Sequence, residues 1–315
     1  MEHNRNNSTQ DSEMYGDEGY DIQVLERPFH LEDWFSLKYT VPLYSYIAPV
    51  LVLLTVVSNT LVLTVLLKKH IRSPTNVILA GIAFSDMLTG VIPLPVYIYF
   101  FSMGHYKHLV PFGWCVPLRM LYAIIPTIFH TASIWLTVVL AAQRYICICY
   151  SQQGRTWCTI ANMIRATVIV YIVAFLSQLT KFVDFYMVPI PIQNYTNPDG
   201  NFEGCSFHVR TWVLNNYVVY QNTYFWFRII CIHLVPCTAL VILNGLLIAA
   251  MQKAKRIRIK LLKPERESQK LMERNSSTLM LVAVIGIFLL VEFSLVTTRL
   301  KIARCTEMKG MIYRY

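Results

Sequence analysis

VILAGIAFSDMLTGVIPLPVYIYFFS, residues 77–102, carries a single charge, Asp86. Coiled as a helix, a stretch of this length extends about 39 Å at 1.5 Å per residue. The hydrocarbon core of a bilayer is about 30 Å thick. The run lacks the strict alternation of a barrel strand. A helix is also the form that satisfies its own backbone polar groups in lipid. The stretch therefore predicts an all-α integral membrane protein.

The flanking sequence repeats the pattern. Tyr44–Leu67 is uncharged, and Leu121–Ile148 is uncharged until Arg144. Ala166–Thr180, Ile229–Met251 and Ser277–Val296 complete six expected spans, the last holding Glu292. No seventh is expected. Over the 315 residues, 55% are hydrophobic and only 15% charged. Soluble domains carry about 25% charge, so neither a soluble fold nor general disorder fits.

The few charges sort by position. Nine of the 18 acids precede residue 34, in a stretch poor in apolar residues that reads as a solvated tail. Residues 1–41 form this tail, 42–298 the bundle, and 299–315 a divergent basic tail. Lys68, Lys69 and Arg72 follow the first span, and Arg144, Arg155 and Arg165 surround the link after the third. The link after the fifth span holds nine bases between Lys253 and Arg274. By the positive-inside rule these links are cytoplasmic and the N-terminus is outside, as in a multi-pass plasma-membrane protein. The net charge of +10 then reports topology and contact with anionic lipids; nucleic-acid binding is not expected. Sequons at Asn6, Asn7 and Asn194 fall outside, where glycosylation occurs.

Of eight cysteines, Cys115 and Cys205 lie on the outer side. A disulfide can persist there; the alternative is two unrelated thiols. Cys147, Cys149 and Cys158 are expected to be reduced, and no spacing suggests a metal site. Ionisable groups at membrane depth are candidate functional groups. Asp86 is the clearest, with Asn59 a natural partner and Ser133 able to face the same pocket. These groups can hold a sodium ion, keep the carboxyl protonated, or form a polar packing knot. Glu292 is the second acid at membrane depth, and Pro236 lies mid-span in the fifth helix.

In order along the chain, these features resemble rhodopsin-like (class A) G-protein-coupled receptors. Ile82-Ala83-Phe84-Ser85-Asp86 is similar to that family's Leu-Ala-x-x-Asp motif. Trp114-Cys115 precedes the third span, and Gln143-Arg144-Tyr145 ends it where the family has Asp-Arg-Tyr. Pro236 and Phe288 match the proline of span five and an aromatic of span six. Arg155-Thr156-Trp157-Cys158 and Leu289-Leu290-Val291-Glu292-Phe293 are similar to invertebrate sex-peptide and myoinhibitory-peptide receptors, a branch related to FMRFamide receptors.

The resemblance implies a short, amidated peptide ligand outside, a heterotrimeric G protein inside, and no catalysis. It implies activation through Gln143, Arg144, Tyr145, Pro236 and Phe288, and an allosteric sodium at Asp86 as the one associated ion. Residues 118–140 contain no acid, which argues against an amine ligand. A basic peptide group can meet the acidic N-terminal tail, Asp184, Asp199, Glu203 or Glu292. Tyr97, Tyr122 and Trp226 offer aromatic contacts, unless they form the interfacial aromatic belt.

Gln143 replaces the acid that holds the arginine in that family, so a looser resting state is expected. The family's Asn-Pro-x-x-Tyr motif is missing, and weak signalling is expected of a chain with six spans. A six-span transporter or channel, and a non-signalling receptor isoform, are the competing readings. No internal repeat supports a transporter.

Overall fold

The computed structural model describes residues 31, 37–68, 73–192 and 202–261 of the chain. Among them, five helices are long and apolar enough to cross a membrane. They are α1 (Thr40–Leu66), α2 (Pro74–Ser102), α3 (Phe112–Cys149), α4 (Ile160–Val183) and α5 (Tyr217–Lys253). The helix of α5 continues to Leu261. The expected sixth span, with Phe288 and Glu292, lies outside the described residues, as do Asn6, Asn7, Asn194 and the tail 299–315.

α3 is the central and most buried helix, packing along α2, α4 and α5, while α2 packs on α1, α3 and α4. Gly81 sits at a close approach: a Cβ there would lie 3.2 Å from both Leu136 of α3 and Thr167 of α4. Small residues at such crossings let backbones draw together where lipid supplies no hydrophobic drive. The faces turned away from the bundle are apolar. On α1, Leu53 and Leu61 are 63% and 62% exposed, amid exposed Leu51, Leu54 and Val57. A protein in water rarely leaves so continuous an apolar surface uncovered.

Helix starts follow local chemistry. α2 opens at Ser73, whose Oγ accepts from Asn76 N at 3.2 Å, with Pro74 in the first turn. α4 opens on Thr159, whose Oγ1 accepts from Asn162 N at 3.3 Å. Four wide π-helical turns sit at one end of the bundle: Leu43–Ile47, Tyr97–Ser102, Met120–Ile124 and Arg228–Leu234. Each neighbours a proline: Pro42 and Pro49, Pro93 and Pro95, Pro117 and Pro126, or Pro236. Proline removes one ladder donor and crowds the carbonyl a turn earlier. The backbone there shifts to bonds five residues back, as from Ala48 N to Leu43 O and Ile125 N to Met120 O.

The same end carries the strands found among the described residues, β1 (Phe185–Ile192) and β2 (Phe202–Val209), paired antiparallel with Pro189 opposite Cys205. Pro189 and Pro191 would ordinarily speak against a strand. In a two-stranded ribbon every strand has an open edge, and alternate residues make no ladder bond. Two prolines of the same parity are therefore tolerated.

A core of Val96, Phe100, Phe101, Val110, Cys115, Leu118 and Cys205 lies beneath this hairpin, and Leu31 is buried within it. Fully burying one such phenylalanine stabilises by about 1.5–3 kcal/mol where the alternative is water.

Candidate functional site

At the hairpin end, Cys115 in the first turn of α3 is bonded to Cys205 of β2, across 90 residues, with Cα atoms 6.2 Å apart. The bridge ties the hairpin to the central helix. Beside it, three of the wide turns bring their tyrosines together. Tyr44 stacks on Tyr97 with ring centroids 4.8 Å apart. Tyr122 meets both edge-on, at 6.0 and 6.2 Å, and its hydroxyl donates to that of Tyr44 at 3.1 Å. Tyr97 and Tyr122 were expected as separate aromatic contacts; they form one cluster with Tyr44, which sequence reasoning missed. Glu203 stands exposed on β2 opposite Pro191.

Asp184 does not have the expected role. It was a candidate for a basic group of a ligand, but it is fully buried at the foot of the hairpin. Arg119 of α3 bonds its Oδ1, while Lys181 Nζ (3.1 Å) and the Tyr220 hydroxyl (3.2 Å) donate to its Oδ2. Arg119 also lies 4.8 Å from the Phe185 ring, and Lys181 lies 3.9 Å from that of Tyr224. The carboxylate therefore joins α3, α4 and α5 as an internal counter-charge. Nothing in a linear reading pairs residues 119, 184 and 220, since the three lie on separate helix ends.

At mid-depth, Ser133 Oγ donates to Asp86 Oδ1 at 2.6 Å. Asn59 is a correction: its Nδ2 donates to Thr55 O of its own helix at 2.9 Å rather than to Asp86. An unforeseen link runs alongside. The Tyr171 hydroxyl of α4 donates to Gly81 O at 2.9 Å and lies 2.7 Å from Ser85 Oγ. Asp86 and Ser133 together present hard oxygen donors, which suit a sodium ion; Asn59 as placed adds none.

At the opposite end, Gln143 is buried and its Nε2 donates to Thr75 Oγ1 of α2 at 3.1 Å. Arg144 is exposed and makes no ion pair among the described residues. Tyr145 meets Tyr150 edge-on at 6.1 Å. Ala141 packs on Leu240 of α5, and Asn244 is buried one turn beyond, its Nδ2 donating to Leu240 O at 2.6 Å. Pro236 follows the wide turn Arg228–Leu234 directly. Cys147 is exposed and Cys158 buried. Burial, reinforced by a hydrogen bond with Cys147, pushes the Cys158 thiol up to about 11.

A helical bundle crossing the membrane several times, with a disulfide-anchored hairpin at one end and Gln-Arg-Tyr at the other, defines the class of G-protein-coupled receptors. The chain belongs to the serpentine type 7TM GPCR chemoreceptor Srw family, whose pattern it matches over residues 46–313. It is therefore a member of a membrane receptor family and not an enzyme. It is 39% identical over 298 residues to the sex peptide receptor of Drosophila melanogaster, covering 88% of this chain and 68% of that protein. It is 38% identical over 255 residues to sex peptide receptor-related protein 2 of Caenorhabditis elegans, covering 79% of this chain and 56% of that protein. The FMRFamide receptor of Drosophila melanogaster is 26% identical over 252 residues, covering 75% of this chain and 42% of that protein. The chain thus spans roughly two fifths to two thirds of the length of these relatives, and it is related to the invertebrate sex-peptide and FMRFamide receptors.

Proposed function

We propose that this chain is a receptor for a short, amidated neuropeptide, bound at the hairpin end and read by a heterotrimeric G protein at the Gln143 end. The observation that carries the reading is the similarity, over most of the chain, to receptors named for peptides. The acid-free interval 118–140 of α3, which offers an amine ligand no counter-charge, supports it. On this reading the hairpin end is extracellular, consistent with its disulfide, and Arg144 faces the cytoplasm with the basic links.

An agonist acts by binding one arrangement of the helices better than another. The tyrosine cluster sits in wide turns, a backbone form enriched at functional sites, and Glu203 lies beside its anchor at Cys205. At the other end, Gln143 is engaged with Thr75 and is neutral. Arg144 is left exposed for a protein partner, and no acid among the described residues pairs with it. A sodium ion at Asp86 and Ser133 would supply a counter-charge that favours the resting packing. Peptide affinity that responds to sodium equally in the wild type and in Asp86→Asn would sink that part.

The test is a panel of short, C-terminally amidated peptides applied to membranes carrying the chain, with nucleotide exchange on added G protein as readout. The expected result is peptide-evoked exchange that Arg144→Ala removes. Exchange evoked equally in wild type and Arg144→Ala would overturn the assignment of that end.

A further inference from the structure

The polar cluster at the foot of the hairpin is not balanced in charge. Asp184 has both oxygens engaged, by Arg119 on one and by Lys181 and Tyr220 on the other. Among the described residues, Arg119, Lys181 and Arg228 nevertheless gather here around Asp184 alone. Among the described residues, two buried donors beside Tyr224 have no acceptor: Gln178 Nε2 and Arg228 Nε. The Gln178 side chain is on a residue 1% exposed, where an unmet donor is destabilising.

Both donors border one ring. The Tyr224 hydroxyl donates to Gln178 Oε1 at 2.8 Å, which leaves the NH2 of that amide as the unmet group. The Arg228 guanidinium lies 5.9 Å from the Tyr224 centroid, and Lys181 Nζ lies 3.9 Å from it. Tyr220 and Tyr224 thus carry an excess of cation on their faces and an unmet amide donor at their edge. Among the described residues, Asp184 is the acid that pairs with Arg119 and Lys181, and none pairs with Arg228.

We propose that Gln178, Lys181, Tyr224 and Arg228 form a subsite for a carboxylate, supplied by an acidic side chain of the peptide. The inference rests on the peptide-receptor reading and names the chemistry of one contact. A carboxylate brings two acceptor oxygens. The Nε edge of a guanidinium is matched to one such group, and an amide donor to the oxygen left over. The excess of bases over acids keeps the field favourable despite Asp184. This reverses the sequence-based expectation that acids at this end await a basic peptide.

The test uses the full chain purified in neutral detergent and its thermal unfolding with two probes. They are acetyl-Phe-Glu-Phe-amide and acetyl-Phe-Gln-Phe-amide at equal, high concentration. The glutamate peptide is expected to raise the unfolding temperature by about 3 °C more than its glutamine twin. The difference is expected to vanish in Arg228→Gln and Gln178→Leu and to shrink as salt rises. Should Arg228→Gln fail to fold, Arg228→Lys keeps the charge without the fork and is expected to halve the difference, roughly. Equal shifts from the two peptides, or a difference that survives both substitutions, would overturn the subsite. So would stabilisation by phosphatidylserine micelles with none from either peptide, which would assign the donors to a lipid headgroup.

Because the readout is unfolding and not signalling, the two readings fail separately. Absence of peptide-evoked exchange leaves the glutamate–glutamine difference standing. Its loss leaves peptide-evoked exchange standing.

Discussion

The two ends of the bundle are built by opposite means. The hairpin end is covalently tied through Cys115–Cys205, closed by a buried core, and joined across three helices by Asp184. At the Gln143 end, among the described residues, Gln143 bonds to Thr75 between α2 and α3, and Ala141 and Leu240 pack with Val138 and Leu243 between α3 and α5. The four wide turns all fall at the first end and none at the second among the described residues. On the proposed reading this asymmetry divides the two tasks of a receptor. A ligand is recognised by groups held in place, whereas a partner is engaged by helices that can separate. Elements that move are drawn from the less stable parts of a fold.

The largest expected effect breaks the tie itself. Cys205→Ser, or reduction of the wild type, removes a cross-link over 90 residues and is expected to cost about 4 kcal/mol of stability, seen as a lowered unfolding temperature. An unchanged temperature would mean that the hairpin is held by its core alone. Next, Asp184→Ala leaves Arg119 and Lys181 without their counter-charge and should cost about 3 kcal/mol. Arg144→Ala, at an exposed site, should stay within about 0.5 kcal/mol. Equal losses would erase the contrast between the ends.

Smaller effects sharpen the comparison at the Gln143 end. Gln143→Glu restores an acid beside Arg144 and is expected to lower basal nucleotide exchange; no change would make the missing clamp irrelevant. Thiol labelling gives the finest distinction. Cys158 is buried and its thiol is pushed up to about 11, so it stays protonated at neutral pH. Its thiolate, the reactive form, grows in only as pH rises toward that value. Maleimide labelling at neutral pH should therefore modify exposed Cys147 and spare Cys158, and comparable rates at the two sites would contradict the packing.

Much of this was legible in the sequence, and the reasons are physical. Five spans stood out because a long uncharged run admits few other structures. Their ends were less visible. α3 begins at Phe112 and α5 at Tyr217, well before the expected Leu121 and Ile229. Pro117 and the polar, aromatic run 217–227 look like loop until the disulfide and the hairpin cover them. Asp86 stood out because a lone carboxylate at membrane depth demands a donor, and Ser133, named as able to face its pocket, supplies one. The turn of Asn59 onto its own helix was not foreseen, because a local carbonyl competes for the amide in every helix. Asp184 and Tyr171 were missed for one shared reason. Their partners are set by how helix ends converge, and no spacing along the chain encodes that.

The central claim is that the rigid end binds peptide and the looser end does not. Saturable binding of a fluorescent, C-terminally amidated peptide to membranes carrying this chain tests it most directly. The account predicts saturable binding from at least one member of the panel, lost in Cys205→Ser and unchanged in Arg144→Ala. Binding by no member of the panel, or binding lost in Arg144→Ala and retained in Cys205→Ser, would contradict it.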